Sequence, residues 1–226
     1  MKNTGVDVTI DYRGKITSEL PFTLAATFTT YKNTITELSG IENSFIPGRE
    51  GRGQTFTRAE TGHAFPEFYG YIIDGIFQNQ SEVDAHAENG TYNEPGNLIV
   101  RDVNGDGEIT PDDRSYIGSP HPDFTAGLRL GLEYKGFDFN ATLYAMVGHE
   151  IANYTIRFRR YGLFQGPKSP DRLYQSWGSP FLDNNANATL PKASGSTSFE
   201  QNTSTEYIED GSFLRLQNIQ IGYNFP

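Results

Sequence analysis

The run Asp102-Val103-Asn104-Gly105-Asp106-Gly107-Glu108-Ile109-Thr110-Pro111-Asp112-Asp113 sets oxygen-bearing side chains at alternate positions, the D-x-[DN]-x-[DN]-G spacing of a calcium loop. Side-chain oxygens of Asp102, Asn104 and Asp106 can converge on one hard cation. Gly107 permits the tight turn, and Glu108 offers its backbone carbonyl. Thr110 would act directly or through water. Asp113 would close the shell at the twelfth place, where an EF-hand carries a bidentate Glu, and its shorter reach points to a lower affinity. Calcium is therefore the expected cofactor. The competing reading is an exposed loop shaped by Asx turns and glycines without metal.

Other chemistry is thinner. His63, His86, His121 and His149 lie far apart without metal-ligand spacing, and His121, held between prolines ahead of a strand, reads as structural. Asp112 and Asp113 adjoin because the loop is acidic, whereas a glycosidase needs two carboxyls across a cleft. With no cysteine there is no thiol nucleophile, disulfide or zinc-thiolate site, and no enzyme is expected. Flat aromatic faces are available at Tyr69, Tyr71, Phe77, Tyr161, Phe164, Tyr174 and Trp177. Of these Tyr69, Tyr71 and Trp177 are carried as ligand-binding candidates, against the reading that they pack loops together. Arg157, Arg159 and Arg160 read as the solvated base of a loop, with a lumen or anionic group as the alternative.

The elements that must position these residues are strands. Val6, Val8, Ile10 and Tyr12 alternate with polar residues. After a turn expected at Arg13-Gly14-Lys15, Phe22, Leu24, Ala26 and Phe28 alternate with Thr23, Ala25, Thr27 and Thr29, giving a hairpin. Phe124 to Tyr134 and Phe137 to Val147 repeat the pattern around a tight Lys135-Gly136 turn. A final strand near Phe213 to Phe225 changes phase at Gln217-Asn218, which predicts a bulge. Between them lie two long polar excursions, 40–122 and 156–210, rich in Gly, Pro, Asn and Ser.

The connections thus run short, long, short, long. A soluble sandwich has no physical reason to keep that order. An outer-membrane β-barrel does, with short periplasmic turns, long extracellular loops, and strands apolar toward lipid and polar toward the lumen. Tyr12, Tyr134 and Phe137 beside the short turns fit an aromatic girdle, and several strands reach the ~9 to 11 residues that cross a bilayer. The fold class expected is all-β, an antiparallel transmembrane β-barrel segment.

Composition agrees. Of 226 residues, 24 are Gly, 13 Tyr and 16 Phe, which suits strands and roomy turns better than a helical core. A formal net charge of −10 argues against a nucleic-acid partner. No stretch approaches the ~20 apolar residues of a membrane-spanning helix, a test that strands of a barrel escape.

Two stretches, Phe68-Tyr69-Gly70-Tyr71-Ile72-Ile73-Asp74-Gly75-Ile76-Phe77-Gln78 and the acidic loop continued by Arg114-Ser115-Tyr116-Ile117-Gly118-Ser119-Pro120-His121-Pro122-Asp123-Phe124, resemble the C-terminal barrel region of SusC/RagA transporters. The family order is F-Y-G-Y-x-x-D-G-I-F, D-x-N-G-D-G-x-I, I-G-x-P-x-P-D-F and Y-K-G-F-D. Tyr134-Lys135-Gly136-Phe137-Asp138 supplies the last, and the closing segment from Phe213 to Pro226 is similar as well. The resemblance covers nearly the whole chain. It implies TonB-dependent import of oligosaccharides, glycans or peptides across a Bacteroidota outer membrane, with a SusD-like surface lipoprotein and TonB as partners and lipid around the barrel. It also implies that residues 1–226 form part of a barrel, with the family's plug domain and remaining strands absent from this chain. A soluble, extracellular, calcium-stabilised carbohydrate-binding module is the alternative.

Overall fold

The computed structural model describes residues 1–38, 40, 45–48, 55–161, 166–193 and 199–225. Strands in chain order are β1 (Lys2–Thr17), β2 (Leu20–Thr34), β3 (Phe45–Pro47), β4 (Thr57–Glu60), β5 (Glu67–Gly70), β6 (Ile73–Ile76), β7 (Leu98–Val100), β8 (Ser115–Gly118), β9 (Phe124–Tyr134), β10 (Phe137–Val147), β11 (Glu150–Ala152), β12 (Ile208–Asp210) and β13 (Phe213–Tyr223). Short helices α1 (Gln80–Asp84), α2 (Ile156–Arg159) and α3 (Asp171–Tyr174) lie within the excursions.

The five long strands form one antiparallel sheet in the order β1-β2-β9-β10-β13. Its register aligns like with like. Ile10 faces Ala26, Ala26 faces Leu128, Leu128 faces Leu143 and Leu143 faces Leu216, so a single apolar row crosses all five strands. The row through Tyr12, Leu24, Leu130, Ala141 and Ile219 repeats this one pleat away. The opposite face carries Asp11, Thr23, Thr27, Arg129, Asn140, Thr142 and Gln220. Side chains of the apolar face stay uncovered, with Ile10 at 61%, Leu214 at 71% and Ile221 at 73% exposure. No second layer of the described residues packs on them.

Both tight turns lie at one end. Thr17 pairs with Leu20, and Tyr134 with Phe137, around Lys135 (φ 48°) and Gly136 (φ 87°), the positive-φ pair of a type I′ turn. Both excursions leave from the other end, where Thr29 pairs with Thr125, Phe124 with Val147 and Met146 with Phe213. The bulge sits where the phase change placed it, since Thr142 pairs with Asn218 but Leu143 with Leu216. Aromatic rings gather at the turn end, with Tyr12 beside Phe22 (5.6 Å) and Phe137 beside Tyr223 (4.6 Å). From Phe137 to Val147, a strand tilted like those of outer-membrane barrels would cover roughly 25 Å along the membrane normal, the height of their apolar band.

The first turn corrects the sequence reading. The chain stays extended through Arg13, Gly14 and Lys15 and reverses at Ser18-Glu19 instead. Gly14 serves packing there, because a Cβ would stand 2.9 Å from the rings of both Tyr12 and Phe22. β1 and β2 accordingly run longer than the alternation of their apolar residues suggests.

The excursions, 35–123 and 148–212, fold onto each other as a layer above the sheet. β3, β4, β5 and β8 form one small sheet, β6 pairs with β7, and β11 with β12. Tyr71, Val100 and Phe199 make one core, while Ile156, Tyr161 and Tyr207 make another. Beside the second, Glu200 is buried and Glu206 half-buried. Tyr161 donates to Glu206 at 2.8 Å, and the Tyr207 hydroxyl donates to the Glu200 carbonyl. Burial pushes the Glu200 carboxyl up to about 7 against the pull of Arg172, and burial likewise raises Glu206.

Two outcomes follow from these faces. Leu130→Arg, on the apolar face mid-strand, should cost about 2–4 kcal/mol of folding stability in bilayers, and Thr142→Arg, on the polar face, much less. Denaturant titration of the protein in lipid vesicles measures both. Glu200 holds its proton in the folded layer up to about pH 7 but releases it near 4.5 when solvated, so its stabilisation is complete below 4.5 and fades as pH rises through 7. Amide protection around 199–207, corrected for intrinsic exchange, should therefore fall between pH 5 and 8 by up to about 3 kcal/mol. Glu200→Gln should flatten that dependence, and equal protection of the parent at both pH values would contradict it.

Candidate functional site

The acidic loop enters from β7 and leaves through a one-turn 3-10 helix, Pro111–Asp113. Gly105 (φ 75°) and Gly107 (φ 88°) let the chain curl around its own carboxylates. Asp102 accepts from Gly105 N–H at 2.6 Å and Gly107 N–H at 2.9 Å, Asn104 Oδ1 from Asp106 N–H at 2.9 Å, and Asp106 from Glu108 N–H at 2.9 Å. Asp113 is fully buried and accepts from Val103 (2.9 Å), Asn104 (3.4 Å) and Thr110 (2.7 Å), with Thr110 returning a capping bond to the turn. Burial pushes the Asp113 carboxyl up, but these N–H donors outweigh it and hold it below the usual range.

Thr110 and Asp113 thus brace the loop, while a backbone β-bridge between Glu108 and Glu88 ties it to the earlier part of the first excursion, and Ile109 packs on the Tyr71 core. Each carboxylate oxygen that accepts one N–H keeps a second lone pair. Among the described residues no three His, Asp or Glu side chains converge on one point.

Directly after this loop, Arg114 lays its guanidinium 5.0 Å over the Tyr71 ring. It borders a cavity of about 510 Å³ shared by both excursions, walled by Phe45, Arg58, Tyr69, Asp112 and Asn202. Arg58 sits 4.0 Å over Phe45, donates to the Tyr69 hydroxyl at 2.8 Å and pairs with Glu60 at 3.0 Å. Polar groups on an aromatic floor, within the usual size range of ligand sites, suit a polar ligand with flat or charged parts.

The three aromatic candidates therefore part company. Tyr69 lines the cavity. Tyr71 is 5% exposed, packs edge-on against Phe199 (4.9 Å) and supports Arg114 from below. Trp177 lies across Gly96, where a Cβ would fall 2.5 Å from its ring, and donates to Gln78 at 3.2 Å, so it joins the second excursion to the first. Backbone bonds from Tyr71 to Thr203 (2.9 Å), Thr205 to Tyr71 (3.0 Å) and Lys192 to Gly96 (2.7 Å) complete that junction.

A second, wider hollow of about 1070 Å³ opens between the sheet and the layer. His63 and His121 both reach it. His63 pairs with Glu67 at 2.9 Å and stacks on Tyr116 at 3.6 Å, and His121 spans Tyr31 (3.2 Å) and the Phe65 carbonyl (2.9 Å), a bracing role. His86 and His149 lie elsewhere, against Phe77 and Phe213. Arg157 departs from the solvated reading, being 7% exposed because its guanidinium finds the Tyr154 hydroxyl at 3.0 Å. Arg160 faces Asp171 at 3.5 Å. Tyr161 and Phe77 are buried in packing, Tyr174 is exposed, and Phe164 lies outside the described residues. Arg58, Arg114, Glu200 and Glu206 were not singled out by sequence, since no motif spacing marks residues whose partners reach them only through the folding of each excursion.

No family model matches the chain. TonB-dependent receptor P3 of Formosa agariphila is 33% identical across the whole chain, which spans 22% of that protein. TonB-dependent receptor SusC of Bacteroides thetaiotaomicron is 26% identical across the whole chain, which spans 20% of it. Among solved structures, the RagAB peptide transporter superposes with a TM-score of 0.74 at 24% identity, over 99% of this chain and 22% of that one. The RagAB peptide importer in its "closed-closed" state gives 0.70 at 23% identity. The chain thus spans about a fifth of the length of the curated relatives it matches. With its one-sided sheet, its two interlocked excursions and these relatives along its full length, the chain matches a β-barrel segment of TonB-dependent receptors of the SusC/RagA type.

Proposed function

We propose that the chain serves a TonB-dependent importer in an outer membrane, working with a SusD-like lipoprotein to bring in oligosaccharides, glycans or peptides. The observation that carries this is the sheet itself: one face apolar and uncovered across five strands, with both tight turns at one end and both excursions at the other. A soluble binding module would have to cover that face. In this reading the apolar face meets lipid, the polar face lines the lumen, the turns are periplasmic and the excursion layer is extracellular. The nutrient then meets the cavity of Tyr69, Arg58 and Arg114, and the lipoprotein sits over the layer.

The same reading gives calcium to the acidic loop, through side-chain oxygens of Asp102, Asn104 and Asp106 and the Glu108 carbonyl, with Thr110 and Asp113 fixing the turn. The alternate spacing and the spare lone pairs support it. Its role would be structural, holding Arg114 and Asp112 at the cavity wall.

Two experiments test these assignments. Because the segment has no cysteine, Asp183→Cys in the second excursion should react with an impermeant thiol reagent on intact cells, and Lys135→Cys at the turn should not. Arg114→Ala and Tyr69→Ala should lower nutrient uptake with surface labelling unchanged. Equal labelling at both ends would overturn the orientation, and unchanged uptake the cavity assignment. Calorimetric titration of the receptor with calcium should show one site with a dissociation constant on the order of 10⁻⁴ to 10⁻³ M, lost in Asp102→Asn with Asp106→Asn. Absence of heat would remove calcium from the account.

A further inference from the structure

Residues 199–207 form a strap that touches both the cavity and the two small cores. Gln201, Asn202 and Thr203 wall the cavity of Arg58, Tyr69 and Arg114. Their neighbours are buried instead: Phe199 packs on Tyr71 and Tyr92, Glu200 is 4% and Ser204 1% exposed, and Tyr207 closes the second core. Tyr71 N–H donates to the Thr203 carbonyl (2.9 Å), Thr205 N–H to the Tyr71 carbonyl (3.0 Å), and Ile73 N–H to the Thr205 hydroxyl (3.0 Å). Because Tyr71 lies beneath Arg114, a seated strap holds two walls of the cavity at once.

The Glu200 carboxyl is buried in this strap without an ion partner. None of the ion pairs among the described residues includes it, and the hydrogen bond acting on it comes from its own backbone N–H. Arg172 of α3 pulls on it from beyond ion-pair reach, its guanidinium donating to the Arg160 carbonyl. Lys168, from the same side, donates to the carbonyls of Phe158 (3.0 Å) and Tyr161 (2.7 Å). The Tyr207 hydroxyl takes the main-chain carbonyl of Glu200 rather than its carboxyl. Glu206 and Tyr161 also face it, and the Glu206 charge pushes it further toward the neutral form. Burial raises Glu206 as well, but the Tyr161 hydroxyl at 2.8 Å and Arg160 pull it back. Two neighbouring carboxyls resist ionising together, and these donors favour Glu206 as the one that does.

We propose that Glu200 is a proton-operated latch on the cavity. While it is neutral the strap stays seated and the cavity walls stand. Once it ionises, an unpaired charge in the core draws in water and the strap lifts, carrying Gln201, Asn202 and Thr203 away and freeing Tyr71 from beneath Arg114. The seated strap binds the proton more tightly than the lifted one, so it is complete at low pH and recedes as pH rises through about 7. The functional consequence rests on the reading that the cavity receives the nutrient, which it then holds better in acid than above neutrality.

Ser204 supplies the probe. Its Oγ has no hydrogen-bond partner among the described residues, so Ser204→Cys breaks no bond, and its burial hides the thiol while the strap is seated. The chain has no cysteine of its own. The protein in lipid vesicles is treated with dithiodipyridine between pH 6 and pH 8. Each rate is divided by that of Glu200→Gln carrying the same cysteine, which removes the thiol's own titration.

The expected ratio climbs about tenfold over this range, as required of a carboxyl that titrates near 7 when seated and near 4.5 when freed. A nitroxide on Asn202→Cys, at the cavity wall, should gain mobility over the same range, a readout that needs no substitution at Glu200. A flat ratio overturns the latch. So does a nitroxide whose mobility stays constant, because the strap would then move without the cavity or not at all. Unchanged nutrient uptake in Arg114→Ala, with both pH responses present, would instead remove the nutrient from the cavity and leave the latch standing.

Discussion

A β-sheet satisfies its backbone sideways, strand to strand, so what remains to be settled is the environment of its two faces. Here one face is apolar in the rows that cross all five strands, and each Leu, Ile or Phe left in water would forgo about 1.5–3 kcal/mol. No described segment covers that face, although both excursions are long enough to have done so. They gather instead above one end. The arrangement is stable only where the surroundings themselves are apolar, and the position of every other part follows from it.

The excursion layer answers a different constraint. Long connections carry many backbone donors and acceptors, and these need partners. The two excursions supply them to each other: Tyr71 pairs with Thr203 and Thr205, Gly96 with Lys192, and Trp177 closes over Gly96. Buried rings and the carboxyls of Glu200 and Glu206 fill the space between. Because the cavity walls come from both excursions, binding there and the stability of the layer depend on the same contacts. The acidic loop is part of this fabric through the Glu88 bridge and Ile109, so its curvature sets where Arg114 and Asp112 stand.

Much of this was legible in the sequence, because alternation at period two states which residues share a face, and the phase change at Gln217-Asn218 states where a strand must bulge. The order of short and long connections gave the two ends. The Arg13-Gly14-Lys15 segment misled because glycine beside charged residues usually signals a turn, whereas Gly14 here makes room for the rings of Tyr12 and Phe22. Arg157 misled because burial of a cation depends on a partner, the Tyr154 hydroxyl, that a charge count does not show. Within the candidate site, Tyr69 and the acidic loop were visible as types and spacings. The pairing of Arg58 and Arg114 across one cavity was not, since it exists only once strands distant in sequence are brought together.

The central claim is that the two faces of this sheet meet hydrocarbon and water. Single nitroxide labels placed in turn from Asp138 to Met146 along β10, in the receptor reconstituted in lipid bilayers, report that division residue by residue. The account requires period-two alternation, with oxygen reaching labels at Phe139, Ala141, Leu143 and Ala145 and a polar relaxation agent reaching those at Asp138, Asn140, Thr142 and Tyr144. Equal exposure of both sets to the polar agent, or an oxygen profile without alternation, would contradict it.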